Sequence, residues 1–302
     1  MKTSQFEKIE LNNQPLDLDL IFTCGQAFRW IKNSDNIWQG VVGDRLIELK
    51  KTDDDILWWR TFPQMDIDIV IDYLRLNDDV SSIYNNLAKS DKYLSKLITK
   101  YYGLRLLRQY PSETILSFIC STVNSIPKIS KAIEGLARVF GKLVCEVDNS
   151  CYYAFPTIER VACADEDDLR QTEKLAFRGR NLKMVATQIM QKDKDWVESL
   201  RDMPYSKAKE ELLSITGIGP KIADCVCLFS LDKDEAVPVD THIRQLAMRL
   251  GMCADGCKTV TDRLYKEISQ AFINRYGKYA GWAQQFLFLE DLELANNKKS
   301  NS

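Results

Sequence analysis

The sequence predicts an α+β fold, with an N-terminal antiparallel β-sheet domain followed by a larger, mostly helical domain. Three observations carry this. The first 50 residues hold runs of aromatic and β-branched residues separated by turn clusters. From about residue 65 the apolar residues recur at three- and four-residue spacing, which is helical. Pro111 and Gly141 punctuate one helical run at its two ends.

Taken in order, "IFTCGQAFRWIKN" (21–33) and "IWQGVVGDRLIELKK" (37–51) read as strands. Asn33-Ser34-Asp35-Asn36 is the turn between them, and Gly43-Asp44 is a hairpin signal within the second. Helical spacing then runs through "IDIVIDYLRL", "VSSIYNNLAKSDKYLSKLITKYY" and "SETILSFICSTVNSIPKISKAIEGLARVFG". It continues in "EDDLRQTEKLAF", "RNLKMVATQIMQ", "SKAKEELLSI", "PKIADCVCLFSL", "THIRQLAMRLG" and "VTDRLYKEISQAFINRYG". A last helix, "YAGWAQQFLFLEDLELA", leads into the polar tail NNKKSNS, expected to be disordered. The expected division is therefore 1–105 for the sheet and the helices that follow it, 106–295 for the helical domain, and 296–302 for the tail. No internal repeat stands out.

With 302 residues, 45% of them hydrophobic and 28% charged, the chain has the composition of a folded soluble protein. No run approaches the roughly 18 apolar residues of a membrane span. The N-terminus lacks the apolar core of a signal peptide, so an intracellular protein is expected. Nine cysteines then read as reduced, buried thiols. The pairs Cys225/Cys227 and Cys253/Cys257 have no second half at zinc-site spacing, and the single histidine, His242, cannot complete one. Neither metal nor cofactor is expected. The net charge of −2 does not announce a nucleic-acid binder, but a local basic face suffices. The acidic runs Asp53-Asp54-Asp55 and Asp165-Glu166-Asp167-Asp168 read as solvated faces or helix N-termini.

The chemistry concentrates around "SITGIGPKIADCV" (214–226), two helices joined by a tight turn. Gly217 and Gly219 let another backbone come close, and Pro220 suits the first turn of the second helix. Unpaired amides in that turn, with the helix dipole, make an anion site that a DNA phosphate could occupy. An ordinary helical hairpin is the alternative. Lys221 could be a solvated charge, a phosphate contact or a nucleophile. Downstream, in "AVPVDTHIRQLAMRLG", Asp240 has the place of a helix N-cap. It lies nineteen residues after Lys221, enough for one helix, a loop and a return to the same cleft.

A Gly-X-Gly-X-Lys hairpin followed by Val-Pro-Val-Asp resembles the helix-hairpin-helix, Gly/Pro-rich loop, aspartate superfamily of DNA glycosylases. Within it the chain is most similar to 8-oxoguanine DNA glycosylases of the eukaryotic type. "CGQAFRW" (24–30), "GLRLLRQYPSETILSFICS" (103–121), "GIGPKIADCVCL" (217–228), "AVPVDTH" (236–242) and "YAGWAQQFLF" (279–288) match that family in order. The resemblance implies a monomer acting on double-stranded DNA that carries 8-oxoguanine, flipping the damaged base from the stack. It implies that Lys221 attacks the anomeric carbon and forms a Schiff base that permits β-elimination, and that Asp240 stabilises positive charge on the sugar. A lysine amine is mostly protonated at neutral pH and needs desolvation or a cationic neighbour to attack.

Base selection is implied too. Oxidation at C8 turns guanine N7 from an acceptor into a donor, which the Gly25 carbonyl would accept. Gln284 would read the Watson–Crick edge, Phe288 and Cys225 would flank the base, and His242 would contact a phosphate. The chain departs from the family where the orphaned cytosine is held. Val123 stands at the position of an asparagine and Lys128 at that of an arginine, while Arg178 is kept and Phe177 is the wedge in place of a tyrosine. Valine cannot hydrogen-bond a base, and lysine lacks the two-pronged donor set of arginine. Relaxed discrimination for the opposite base is expected, with Asn124 and Arg180 as backbone or cavity contacts. Sibling enzymes of the endonuclease III or adenine glycosylase kind usually carry a four-cysteine iron–sulfur motif, and no cysteine follows Cys257. Alkylbase glycosylases generally lack the lysine. A non-catalytic DNA-binding module would leave the Asp240 spacing unexplained.

Overall fold

The computed structural model describes residues 5–52, 55–122, 124–173, 175–253 and 259–300, the side chains of 296–300 excepted. Val123, Cys257, Asp53 and Asp54 lie outside the described residues. The N-terminal strands are β1 (Glu7–Glu10), β2 (Trp30–Lys32), β3 (Trp38–Val42), β4 (Arg45–Lys51) and β5 (Ile56–Phe62). They form one antiparallel sheet in the order β1-β5-β4-β3-β2. Gly43-Asp44 makes the expected two-residue hairpin, pairing Val42 with Arg45. Asn33 makes the expected turn before β3, its side-chain oxygen accepting from the amides of Asp35 and Ile37.

One expectation here fails. Residues 21–33 are not a single strand: α1 (Leu18–Thr23) comes first and β2 is three residues long. Asp17 caps α1 by accepting from the Leu20 amide at 3.0 Å, and Leu18, Ile21 and Phe22 fall on one buried face. Capping and helical spacing outweigh the β-branched and aromatic composition of this run. Across the sheet, α1 and α2 (Ile67–Tyr73) cover one face, with Phe22, Val70 and Tyr73 packing on Trp30, Ile47, Leu49 and Trp59.

After the sheet come α3 (Val80–Ser90), α4 (Lys92–Lys100), α5 (Pro111–Cys120) and α6 (Ile126–Phe140). A second hairpin follows, β6 (Leu143–Val147) and β7 (Ser150–Tyr153). Its Cys145 and Val147 pack on Val41, Leu46 and Phe62, covering the other face of the sheet. This hairpin was not expected, although Asp148-Asn149, both at positive φ, is a turn signal legible in the sequence. The remaining helices are α7 (Ile158–Ala162), α8 (Glu166–Gln171), α9 (Arg178–Ile189), α10 (Trp196–Ser199), α11 (Tyr205–Leu213), α12 (Pro220–Ser230), α13 (Thr241–Arg249), α14 (Asp262–Tyr276) and α15 (Ala280–Ser300). The tail expected to be disordered from residue 296 is a correction: α15 runs on to Ser300. No glycine or proline follows Gly281 in it, and extending an existing helix is far easier than starting one.

Two larger buried clusters organise the chain, beside the small one under the β6–β7 hairpin. One lies under the sheet and runs from Leu11 to Leu74, with Leu107. The other is helical, with α5 and α12 packed against each other at its centre, and it includes α3 and α4. The packing thus places α3 and α4 with the helical cluster. Gln26, fully buried, stitches the two parts together. Its amide donates to the Arg105 carbonyl at 2.8 Å and its oxygen accepts from the Leu107 amide at 3.0 Å.

Candidate active site

Lys221 sits in the first turn of α12, just after the Gly217–Gly219 turn and Pro220 at the helix start. Gly217 has φ +101, where a side chain is strained, and a Cβ there would meet Met184 at 2.9 Å. Gly219 is different: its backbone is extended, and a Cβ would meet nothing within 4 Å. The fold does not require glycine at 219, so open space beside the backbone is what it provides. Among the described residues no acceptor takes the Gly217 or Gly219 amide, which leaves both for an external anion. A reciprocal pair of bonds between the Gln188 amide and the Thr216 backbone holds the turn from behind.

The Lys221 amine donates to Ser121 Oγ at 3.1 Å and lies 4.9 Å from the centre of the Phe118 ring. Both partners come from α5 or its C-cap. They hold the ammonium at the end of a buried helix instead of letting it reach into solvent. Asp240 is the N-cap of α13, as expected, with Oδ1 accepting from the Ile243 amide at 2.9 Å. Its Oδ2 accepts from no described residue. The extended Val237–Val239 segment returns Asp240 to the side of α12, so that Lys221 and Asp240 line one small cavity.

Gly25, Cys225, Gln284 and Phe288 line that same cavity, together with Phe118, Phe229, Pro238 and Gln285. Gly25 has φ +81, and its neighbouring carbonyls are both taken. Gln285 donates to Cys24 O at 3.0 Å and Gln109 to Gln26 O at 2.7 Å, whereas no described residue donates to Gly25 O. Gln284 is 3% exposed, and its Oε1 is buried without a hydrogen-bond partner. Such an orphan costs about 1–3 kcal/mol, which a donor entering the cavity would relieve. Burial pushes the Cys225 thiol up to about 12, overriding the nearby Lys221 charge, so it faces the cavity as a small neutral group.

Across the cavity, His242 meets Phe288 edge-on with ring centres 5.8 Å apart. Its Nδ1 bonds Asp291 at 2.8 Å, and Asp291 also holds Arg249. The His242 side chain remains 38% exposed, and no described residue bonds Nε2.

The cavity is about 50 Å³, room for a few waters and less than a purine needs. A Cβ on Gly25 would lie 3.2 Å from Ile126 Cδ1 and 3.6 Å from Phe288 Cε1, so these two side chains crowd the Gly25 backbone. Larger hollows of about 590 and 680 Å³ lie elsewhere, and neither contains Lys221 or Asp240. Size therefore does not single out the cavity that Lys221 and Asp240 line. Among the described residues no group of three or more His, Cys, Asp or Glu side chains is arranged to hold a metal ion.

Residues 116–291 match the family model described as HhH-GPD superfamily base excision DNA repair protein. The chain belongs to this superfamily. Residues 8–115 match a second model, 8-oxoguanine DNA glycosylase, N-terminal domain. The N-glycosylase/DNA lyase OGG1 of Arabidopsis thaliana is 30% identical over 298 residues, spanning 96% of this chain and 81% of that protein. The N-glycosylase/DNA lyase of Saccharomyces cerevisiae is 29% identical over 328 residues, spanning 95% and 86%. A solved structure, the Clostridium acetobutylicum 8-oxoguanine glycosylase/lyase in complex with double-stranded DNA containing cytosine opposite 8-oxoguanine, superposes with a TM-score of 0.83. It is 28% identical, with 98% of this chain and 100% of that chain covered.

The opposite-base residues of this HhH-GPD chain behave less uniformly than the cavity. Phe177 is 57% exposed at the start of α9, and Arg180 and Lys128 are also exposed. Arg178 is turned inward, donating through Nε and Nη2 to Thr122 O at 2.9 and 2.6 Å. Asn124 donates its side-chain NH2 to Cys120 O at 3.2 Å, and its Oδ1 accepts from the Ser125 amide at 3.1 Å. Both side chains hydrogen-bond the backbone between α5 and α6. Ser121, Phe118, Ile126 and Gln285 were not singled out from sequence. Each is an ordinary residue whose role comes from where α5, α6 and α15 meet.

Proposed function

We propose that Lys221 and Asp240 carry the reaction of a bifunctional glycosylase/lyase that excises 8-oxoguanine from duplex DNA. The observation that supports the assignment is their convergence on one cavity with the unpaired Gln284 Oε1 and the unbonded Gly25 carbonyl. Once flipped, the base displaces Phe288 and Ile126 from over Gly25 and takes their place. Its N7–H donates to Gly25 O, an interaction undamaged guanine cannot make because its N7 is an acceptor. Donors on its Watson–Crick edge satisfy Gln284 Oε1.

Lys221, once deprotonated, forms a bond from Nζ to the anomeric carbon as the N-glycosidic bond breaks, and the bonding pair leaves with the base. Positive charge that builds on the sugar during this step faces the Asp240 carboxylate, whose Oδ2 has no described partner. Nζ then loses one proton, and opening of the sugar ring, with O4′ taking up a proton, gives the protonated Schiff base. Removal of a proton from C2′ then breaks the C3′–O bond and releases the 3′ phosphate. His242, held by Asp291, and the Gly217 and Gly219 amides contact the DNA backbone on this reading.

The test is excision and borohydride trapping on duplexes carrying 8-oxoguanine or guanine at one position. Excision and a covalent adduct are expected with the lesion alone. Trapping without preference for the lesion would remove the base assignment, and no adduct would remove the nucleophile.

The same duplexes with each base opposite the lesion check the second expectation. Lys128 is a point charge, and Arg178 is occupied by the Thr122 carbonyl. Excision rates should therefore differ among the four opposite bases by less than about tenfold, one bidentate contact being worth about 1–3 kcal/mol. A hundredfold cytosine preference would overturn this.

A further inference from the structure

Tyr265, on α14, is 5% exposed and reaches between the two segments that carry Lys221 and Asp240. Its hydroxyl lies 2.5 Å from Asp224 Oδ2, one helical turn beyond Lys221, and 3.1 Å from the carbonyl of Pro220, just before it. The same oxygen accepts from the amide of Val239, just before Asp240, at 3.3 Å, and lies 3.2 Å from Val237 O. A tyrosine hydroxyl has one proton to give. The shortest contact assigns it to Asp224, and the lone pairs then receive the Val239 amide. Asp224 is itself fully buried and fixed by two further donors, Tyr205 at 2.7 Å and Lys209 at 2.7 Å. The chain of bonds thus runs from α11, through Asp224 on α12 and Tyr265, to the backbone at Asp240.

We propose that Tyr265 is a positioning residue that sets Asp240 against Lys221. It touches no part of the cavity itself. Asp224 fixes the direction of the hydroxyl, and the hydroxyl fixes the Val237–Val239 segment against α12. Charge stabilisation by Asp240 depends on its placement relative to the sugar that Lys221 attacks, and displacements of about 1 Å at such sites can cost a hundredfold. The two steps of the reaction depend on this placement unequally. Base removal builds positive charge on the sugar and needs Asp240. Condensation of Lys221 with a ready-made abasic site, which already offers an aldehyde, has no base to expel.

This rests on the proposed function, and the experiment separates the two. Tyr265→Phe removes only the hydroxyl. Single-turnover excision at saturating enzyme is compared with borohydride trapping on a duplex carrying a preformed abasic site. The ratio of excision to trapping should fall by about tenfold to a hundredfold relative to wild type. Asp224→Asn, which sets an NH2 group against one of the two tyrosines, should lower the same ratio. A tyrosine that served only the stability of the fold would lower the active fraction and both rates together. An unchanged ratio in both variants therefore overturns the proposal. Failure of the wild-type protein to excise or trap overturns the proposed function instead.

Discussion

Lys221→Gln is expected to abolish the borohydride-trapped adduct and to slow excision of 8-oxoguanine by about 10⁴-fold or more, the scale on which removal of a nucleophile acts. The fold should survive. Lys221 is half-buried, donates one hydrogen bond to Ser121 and rests on Phe118, so its loss costs about 1–2 kcal/mol of stability. Glutamine keeps much of the length and can still donate to Ser121 Oγ, but it has no amine to form a Schiff base. Lesion binding should persist, because the cavity residues proposed to contact the base, Gly25, Gln284 and Phe288, are untouched. An adduct in the variant, or excision within tenfold of wild type, would assign the nucleophile elsewhere.

Asp240→Asn should leave the helix in place and remove most turnover. Asparagine caps helices about as well as aspartate, so the bond to the Ile243 amide and the start of α13 are kept. The negative charge is lost, and electrostatic stabilisers of this kind are worth about 10²- to 10³-fold in rate. Binding to lesion duplex should stay within a few-fold, measured by gel shift or fluorescence anisotropy. A rate close to wild type would make Asp240 a cap and nothing more.

Much of this site was legible in the sequence because its residues sit at punctuation points. Gly217, Pro220, Asp240 and Gly25 mark turns, a helix start and a cap, and each reports its backbone environment through its residue type. The α+β division and the Gly43-Asp44 hairpin were legible for the same reason. What could not be read was mutual placement. Tyr265 is one aromatic residue on an amphipathic helix, and only the fold brings its hydroxyl to Asp224 and Val239. The resemblance assigns Arg178 to the orphaned base, and only the fold shows its guanidinium donating to the Thr122 carbonyl. Residues 21–33 misled because aromatic and β-branched content is a weaker signal than the Asp17 cap ahead of it. The β6–β7 hairpin was missed because four- and five-residue strands beside long helices give too little periodicity to stand out.

Helices α3 and α4 precede the region matched by the HhH-GPD model, yet they are built into the helical core. Val80, Ile83, Leu87, Leu94 and Leu97 are each at most 5% exposed there. At about 1.5–3 kcal/mol for each such side chain, losing these five alone forfeits as much as a whole domain's usual margin of about 5–15 kcal/mol. A chain cut before residue 106 is therefore expected to lose the packing that holds the segments bearing Lys221 and Asp240. Ancestral exchange or engineered grafting of the glycosylase unit would have to transfer these two helices with it.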